Sequence, residues 1–271
     1  MHKATYLDID GCSVFVEMFG DPTSPVLHCV HTAGQSGVQY RKVAPQLAAK
    51  GYYVVVADLP GHGRSEPATN GPIVDLGEFA QISIDVLDQL GVDSFYLLGC
   101  SIGGRIVLDI ALKVPDRVLG VVSMASPDGR LAHVGPFAPF GLEDASTPSM
   151  RDRTYYGQFA ITSTKTPAHV REMIATMHCR EDWHITVCDG EAMRRHDLWD
   201  ELPSMKPPVI MVMGEADLSR YKGEKTAARI PGSRFVVLEG AGHYPMEEMS
   251  DFADVCSVWL EELQQRAGHA R

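Results

Sequence analysis

Residues Gly99-Cys100-Ser101-Ile102-Gly103 close one apolar run and open another of different period, and this junction constrains the fold more than any other part of the chain. Val92 to Leu98, ending in Phe95, Tyr96, Leu97 and Leu98, reads as a short buried strand. From Ile102 the apolar residues recur at helical spacing through Ile106, Val107, Ile110 and Ala111, until Pro115 stops them. A serine wedged between strand and helix sits on a sharp turn, its hydroxyl raised beside the unpaired N–H groups of the helix start. Small residues at this spacing are common. The strand before and the helix after are what make the pattern specific for a nucleophilic serine. The plainer reading is a serine that merely caps a helix, and the rest of the chain weighs against it.

Around that junction the chain alternates strand and helix. Tyr6 to Asp10 and Ser13 to Phe19 flank Asp10-Gly11, a hairpin signal. Pro25 to Val30, Tyr52 to Ala57, Val118 to Met124, Val209 to Met213 and Phe235 to Leu238 read as further strands. Helices are expected over Pro45 to Lys50, over Leu76 to Leu90 with Phe79, Ile82, Val86 and Leu87 inward, and after Ser250 with Phe252, Val255, Cys256, Trp259 and Leu263 inward. Strands that are apolar throughout and alternate with helices imply a parallel sheet covered on both faces. The fold class is therefore α/β: a mostly parallel central sheet of about eight strands, helices on both faces, and an antiparallel hairpin at one edge.

Between Pro127 and Pro208 the rhythm breaks. No strand pattern occurs there, and Pro136, Pro139 and Pro148 interrupt the first third. Thr166-Pro167 reads as an N-cap followed by proline at the first helical position, leading a helix through Val170, Met173, Ile174 and Met177. A connection of this length is too long for a plain loop. Residues 127–203 are expected to form a helical lid inserted into a core made of residues 1–126 and 204–271.

Composition narrows the partners. Of the 271 residues, 45% are hydrophobic and 22% charged, as in an ordinary globule, and the formal net charge of −11 argues against nucleic acid. No apolar stretch is long enough to span a bilayer, and Met1-His2-Lys3-Ala4-Thr5-Tyr6 contains no signal core. The six cysteines are scattered, three of them in apolar runs, so a reducing cytoplasm is expected rather than a disulfide framework. A monomer and a homodimer both remain open.

A serine hydroxyl needs a base within hydrogen-bond reach, and the base needs an orienting acid. Two strand ends offer candidates. Val209 to Met213 runs into Gly214-Glu215-Ala216-Asp217, and Phe235 to Leu238 runs into Glu239-Gly240-Ala241-Gly242-His243. The chain order is Ser, Asp, His. The acid could instead be Glu215, or Asp128 beyond the strand that ends at Met124.

With these residues in view, the chain resembles the α/β-hydrolases, in their lid-bearing, esterase/lactonase-like branch. The likeness spans almost the whole sequence. It is carried by His31-Thr32-Ala33-Gly34, by Asp58-Leu59-Pro60-Gly61-His62-Gly63-Arg64-Ser65, and by Gly99 to Gly104. Gly214-Glu215-Ala216-Asp217 and Gly242-His243-Tyr244-Pro245 with Glu248 complete it, in that order. The resemblance implies Ser101 as nucleophile, His243 as general base and later acid, and Asp217 as orienting carboxylate. The backbone N–H groups of Ile102 and Ala33 would form the oxyanion hole. His31, His62, Asp58 and Glu248 are expected to be structural. Thr32 stands where the family usually has glycine, which leaves its hydroxyl available to a substrate; Cys100 is read as packing.

The expected substrate is a medium-sized, fairly hydrophobic ester or lactone, held under the lid by Thr32, Tyr155, Tyr156, Phe159, Trp183 and Tyr244. The resemblance implies no cofactor. His178, Cys179, His184, Cys188 and His196 lack a recognised metal-ligand spacing, so no metal is expected. Two other readings stay open. Relatives that hydrolyse C–C bonds tend to carry tryptophan after the histidine, where this chain has Tyr244. Hormone-receptor-like relatives keep the triad but turn over slowly.

Overall fold

The computed structural model describes residues 1–131 and 150–269. Strand β1 (His2–Ile9) pairs antiparallel with β2 (Cys12–Phe19) across Asp10-Gly11, both at positive φ, as a tight two-residue hairpin turn requires. Then come β3 (Val26–Val30), a single 3-10 turn (Gly37–Tyr40), α1 (Val43–Ala49) and β4 (Tyr53–Ala57). They are followed by α2 (Leu76–Gln89), β5 (Phe95–Cys100), α3 (Ile102–Lys113) and β6 (Val118–Met124). After the insertion the core resumes with β7 (Val209–Gly214) and α7 (Arg220–Ala227). Strand β8 (Arg234–Leu238), the single turn α8 (Pro245–Glu248) and α9 (Phe252–His269) end the chain.

The eight strands form one sheet in the order β1-β2-β4-β3-β5-β6-β7-β8. Only the β1–β2 and β2–β4 pairs are antiparallel. From β3 the chain crosses one way to β4, then returns to place β5 on the other side of β3. This reversal leaves a crevice beyond the carboxyl ends of β3 and β5, where an open α/β sheet accepts ligands. The serine junction lies at that end.

Successive strand residues face opposite layers, and each layer has its own helices. Leu97 and Val121 pack with Leu76, Phe79, Val86, Leu87, Ile106 and Ile110 of α2 and α3. Leu98 and Val122 pack with Leu47 of α1 and with Phe252, Cys256, Trp259, Leu260 and Leu263 of α9. Each such side chain contributes roughly 1.5–3 kcal/mol when fully buried, which explains why β5 is buried along its whole length.

Two local expectations shift. Strand β5 starts at Phe95 rather than Val92, because the Val92 amide donates to the Leu87 carbonyl at 2.9 Å and closes the end of α2. The helix expected from Pro45 begins at Val43, with Pro45 inside its first turn, where a missing N–H costs nothing.

Between β6 and β7 the described residues form α4 (Met150–Ile161), α5 (Ala168–His178) and α6 (Trp183–Arg195). The prolines at 136, 139 and 148 lie outside the described residues. Thr166 does not cap α5: Pro167 holds that position, and the Thr166 hydroxyl donates to Glu248 at 2.7 Å. The insertion touches the loops that follow β3, β4 and β8. Arg105 of α3 donates to the Met193 carbonyl at 2.7 Å and Asp109 pairs with His196 at 3.3 Å, so the end of α6 is fastened to the helix that follows the serine.

Candidate active site

Ser101 has φ 56° and ψ −119°, a conformation that costs a non-glycine residue energy and persists only where its surroundings enforce it. The enforcement is visible on both sides. A Cβ at Gly99 would run into the Gly103 backbone, and one at Gly103 would run into the carbonyls of Val30 and His31. Only glycines let α3 start this close to β5 and β3. The first amides of α3, including that of Ile102, have no intrahelical acceptor and flank the serine.

The loop after β3 is built from tied groups. His31 accepts from the Leu59 amide at Nε2 (3.0 Å) and donates from Nδ1 to the Thr32 carbonyl (2.9 Å). Burial, with His62 beside it, brings its pKa down to about 4, so the ring is neutral. The Thr32 amide donates to Gln39 Oε1 at 3.0 Å; its buried hydroxyl accepts from Gln39 Nε2 at 3.2 Å and lies 3.4 Å from His178 Nε2. The Gly34 amide donates to Asp189 at 2.8 Å. Between them, the Ala33 N–H meets no acceptor among the described residues. Asp58 holds the neighbouring loop, accepting from the Gly37 amide (2.7 Å) and from Arg64.

His243 Nδ1 donates to Asp217 Oδ2 at 2.7 Å. Burial alone would raise the Asp217 pKa, but the charge and hydrogen bond of His243, with two bonds from Ser219, hold it at about 2. Burial alone would lower His243, and the same partnership raises it above its ordinary value. The Cys100 thiol donates to the His243 carbonyl at 3.2 Å, so the serine turn and the histidine loop are in direct contact. Glu248 fixes that loop. It accepts from the amides of Gly242 (3.0 Å), Tyr244 (2.9 Å) and Ser163 (2.8 Å), as well as from Thr166.

The other two acids lie elsewhere. Asp128 accepts from the amides of Arg130 and Leu198, and its own amide donates to Thr226. Glu215 is exposed, paired with Lys165 at 2.9 Å and accepting from the Gly240 amide. Neither meets His243.

The residues suggested for substrate divide. Tyr244 is buried, its ring 4.9 Å from that of His243 and 5.0 Å from that of His178, its hydroxyl on Gln158. On α4, Tyr155 stacks on Phe159 at 6.1 Å and meets Tyr156 edge-on, while Tyr156 is 66% exposed. Trp183 opens α6; its side chain lies outside the described residues. Of the residues weighed as metal ligands, His178 serves Thr32, Cys179 faces the Arg151 carbonyl, His184 pairs with Asp182 and His196 with Asp109.

Several buried polar residues escaped the sequence reading, three of them beside the site. Those three are Gln39, Glu247, whose carboxyl accepts from Gln39 at 2.9 Å, and Asp189. Asp189 carried a signal. It stands on α6 in the inward spacing of Ile185, Cys188 and Ala192, where an acid is out of place. No described helix is long and apolar enough to cross a membrane.

Comparison with known proteins agrees with the fold. The profile described as alpha/beta hydrolase fold matches residues 25–211. The chain is 28% identical over 260 residues to an uncharacterized hydrolase, YugF, of Bacillus subtilis, covering 89% of this chain and 91% of that one. It is 25% identical to a 2-hydroxy-6-oxononadienedioate/2-hydroxy-6-oxononatrienedioate hydrolase of Escherichia coli, over 86% of this chain and 84% of that one. Among solved structures, an enol-lactonase from Burkholderia xenovorans superposes with a TM-score of 0.80 at 21% identity, over 96% of this chain and all of that one.

Proposed function

Because this chain belongs to the alpha/beta hydrolase fold family, we propose that it is a serine hydrolase that cleaves a medium-sized, fairly hydrophobic carboxylic ester or lactone through an acyl-enzyme on Ser101. One observation carries the reading. A histidine whose Nδ1 is held at 2.7 Å by a buried carboxylate lies on a loop in contact with a strained serine turn. The carboxylate selects the tautomer that leaves Nε2 free to accept a proton.

Ser101 Oγ attacks the substrate carbonyl carbon as its proton passes to His243 Nε2. The carbonyl oxygen becomes an oxyanion, received by the Ile102 and Ala33 amides; a fixed donor of this kind contributes about 3–4 kcal/mol in the transition state. His243 then gives the proton to the leaving alkoxide oxygen, which departs from an ester or stays tethered in a lactone. Water attacks the acyl carbon while His243 takes its proton, and that proton returns to Ser101 Oγ as the acid leaves. Helices α4, α5 and α6 of the insertion act as the lid over the core. Tyr244 and Thr32 form the polar border of the pocket, and the α4 aromatics its apolar side. Ser101→Ala should abolish both hydrolysis of p-nitrophenyl butyrate and labelling by a fluorophosphonate. Labelling that persists in this variant would overturn the assignment.

A second reading, hydrolysis of a C–C bond, is favoured by the dienedioate hydrolase relative. It is disfavoured by Tyr244 in the position after His243. Measuring turnover of 2-hydroxy-6-oxononadienedioate against the ester separates the two: faster turnover of the dienedioate would replace the ester reading.

A further inference from the structure

We propose that Asp189, on helix α6 of the insertion, is a positioning residue for the oxyanion loop, so that the insertion completes the catalytic site instead of merely covering it. The inference rests on the serine-hydrolase reading and adds a residue to it. A single oxygen, Asp189 Oδ2, accepts from the Gly34 amide at 2.8 Å and from His62 Nε2 at 2.9 Å. Gly34 follows Ala33, the proposed donor, and sits at φ 57° with no room for a Cβ, because Thr186 Oγ1 of the same helix would lie 2.6 Å away. One turn of α6 therefore both presses on the loop and holds its amide.

His62 anchors the arrangement from below. Its Nδ1 donates to the Pro60 carbonyl at 3.1 Å and its Nε2 meets Asp189 Oδ2 at 2.9 Å, so both ring nitrogens are engaged; burial would lower its pKa, and the carboxylate beside it raises it. Its ring lies 4.9 Å from that of His31, at the root of the oxyanion loop, and against Phe79 of α2. Glu181, accepting from the Gly63 amide at 2.9 Å, and Asp58, accepting from the Gly37 and Arg64 amides, are the other acids facing these loops. Asp189 and His62 are almost completely buried, 1% exposed in each side chain.

A pair of this kind is a poor device for stability alone. Desolvation of two charges offsets most of their attraction, and an apolar pair of similar volume often does as well. Among the described residues, Asp189 Oδ1 is moreover buried without a partner, a cost of about 1–3 kcal/mol or more. What an apolar pair could not do is hold the Gly34 amide. Displacing a catalytic group by about 1 Å costs on the order of a hundredfold in rate.

The test compares Asp189→Ala and Asp189→Asn with the wild-type protein. The readouts are the fluorophosphonate inactivation rate, the labelling endpoint as a count of competent sites, and kcat and KM for p-nitrophenyl butyrate. Alanine removes the acceptor; asparagine keeps one for Gly34. The expected result is a ten- to hundredfold fall per labelled site in the alanine variant, in kcat with KM little changed, and recovery to within about fivefold of wild type by asparagine. An alanine rate within twofold of wild type, a loss confined to KM, or an asparagine variant no faster than alanine would overturn the proposal. Asp189→Ser, too short to reach the amide, replaces alanine if that variant yields no folded protein. Absence of labelling at Ser101 in the wild type would count against the hydrolase reading itself, a separate outcome.

Discussion

Two buried histidine–aspartate pairs lie at the same end of the sheet, and they differ in what the second ring nitrogen does. In His243–Asp217 the Nδ1 bond of 2.7 Å leaves Nε2 without a hydrogen-bond partner among the described residues. In His62–Asp189 the bond is nearly as short, 2.9 Å, but the other nitrogen is committed to the Pro60 carbonyl. Burial would push both rings down, and a carboxylate raises both. Only the first, however, can take up a proton from a reactant. The second has both nitrogens engaged, and serves as a brace. A histidine–aspartate contact therefore does not by itself identify a base; a second ring nitrogen left free for a reactant is needed as well.

The sharpest way to break this comparison is to neutralise each aspartate in turn. Asp217→Asn should lower kcat for p-nitrophenyl butyrate by about 10³–10⁴-fold, through loss of the productive tautomer. It should also move the acid limb of the pH–rate profile to lower pH, because hydrolysis needs neutral His243 and Asp217 is what raises that ring's pKa. Asp189→Asn should leave that limb in place. Equal losses and equal shifts in the two variants would erase the distinction.

Glu248 is to the histidine loop what Asp189 is to the oxyanion loop. Glu248→Ala strands the Gly242, Tyr244 and Ser163 amides. It should cost about 3–5 kcal/mol in urea unfolding, since a buried acceptor with several charge-assisted bonds is lost at once. A loss below about 1 kcal/mol would show that water replaces it freely.

Glu247 sharpens the contrast from the other direction, as a buried carboxyl with no cation bonded to it among the described residues. Burial raises its pKa to about 7, and one of its oxygens has no partner among the described residues. In the unfolded chain the group titrates near its ordinary value, so folding favours its protonated form and this part of stability falls as pH rises from about 4.5 toward 7. Glu247→Gln should therefore gain stability relative to wild type at pH 8 compared with pH 5, by about 1–3 kcal/mol in thermal or urea unfolding. A pH-independent difference would contradict the raised value.

The smallest effect belongs to an exposed histidine–aspartate pair, His184–Asp182, at 3.0 Å with both side chains more than 60% exposed. His184→Ala should change stability by no more than about 0.5 kcal/mol and leave kcat unaltered. A larger change would mean that distance, not burial, governs these pairs.

Much of this arrangement is legible along the chain, and the part that is not has a common cause. Periodicity reports neighbours three or four residues away, and turn chemistry reports two; both work where the contact is local. The five strands read from apolar runs and the serine junction were of this kind. Thr166 was misread as a cap because its hydroxyl is taken by Glu248, 82 residues onward. The partners of the Thr32 hydroxyl, Gln39 and His178, the second 146 residues away, were likewise not legible along the chain. Asp128, Glu215 and Asp217 all follow strands, and the sequence offers no measure of which one reaches His243.

From the sequence alone came the α/β alternation, the strained serine between β5 and α3, and the acid and histidine loops at strand ends, since each rests on residues close in the chain. Tertiary structure decided the partnerships. It brought Asp217 to His243 across 26 residues, and Asp189 to His62 across 127. A buried charge acquires its role from the donors that folding gathers around it, and in this sheet those donors arrive from loops and an inserted helix far apart in the chain.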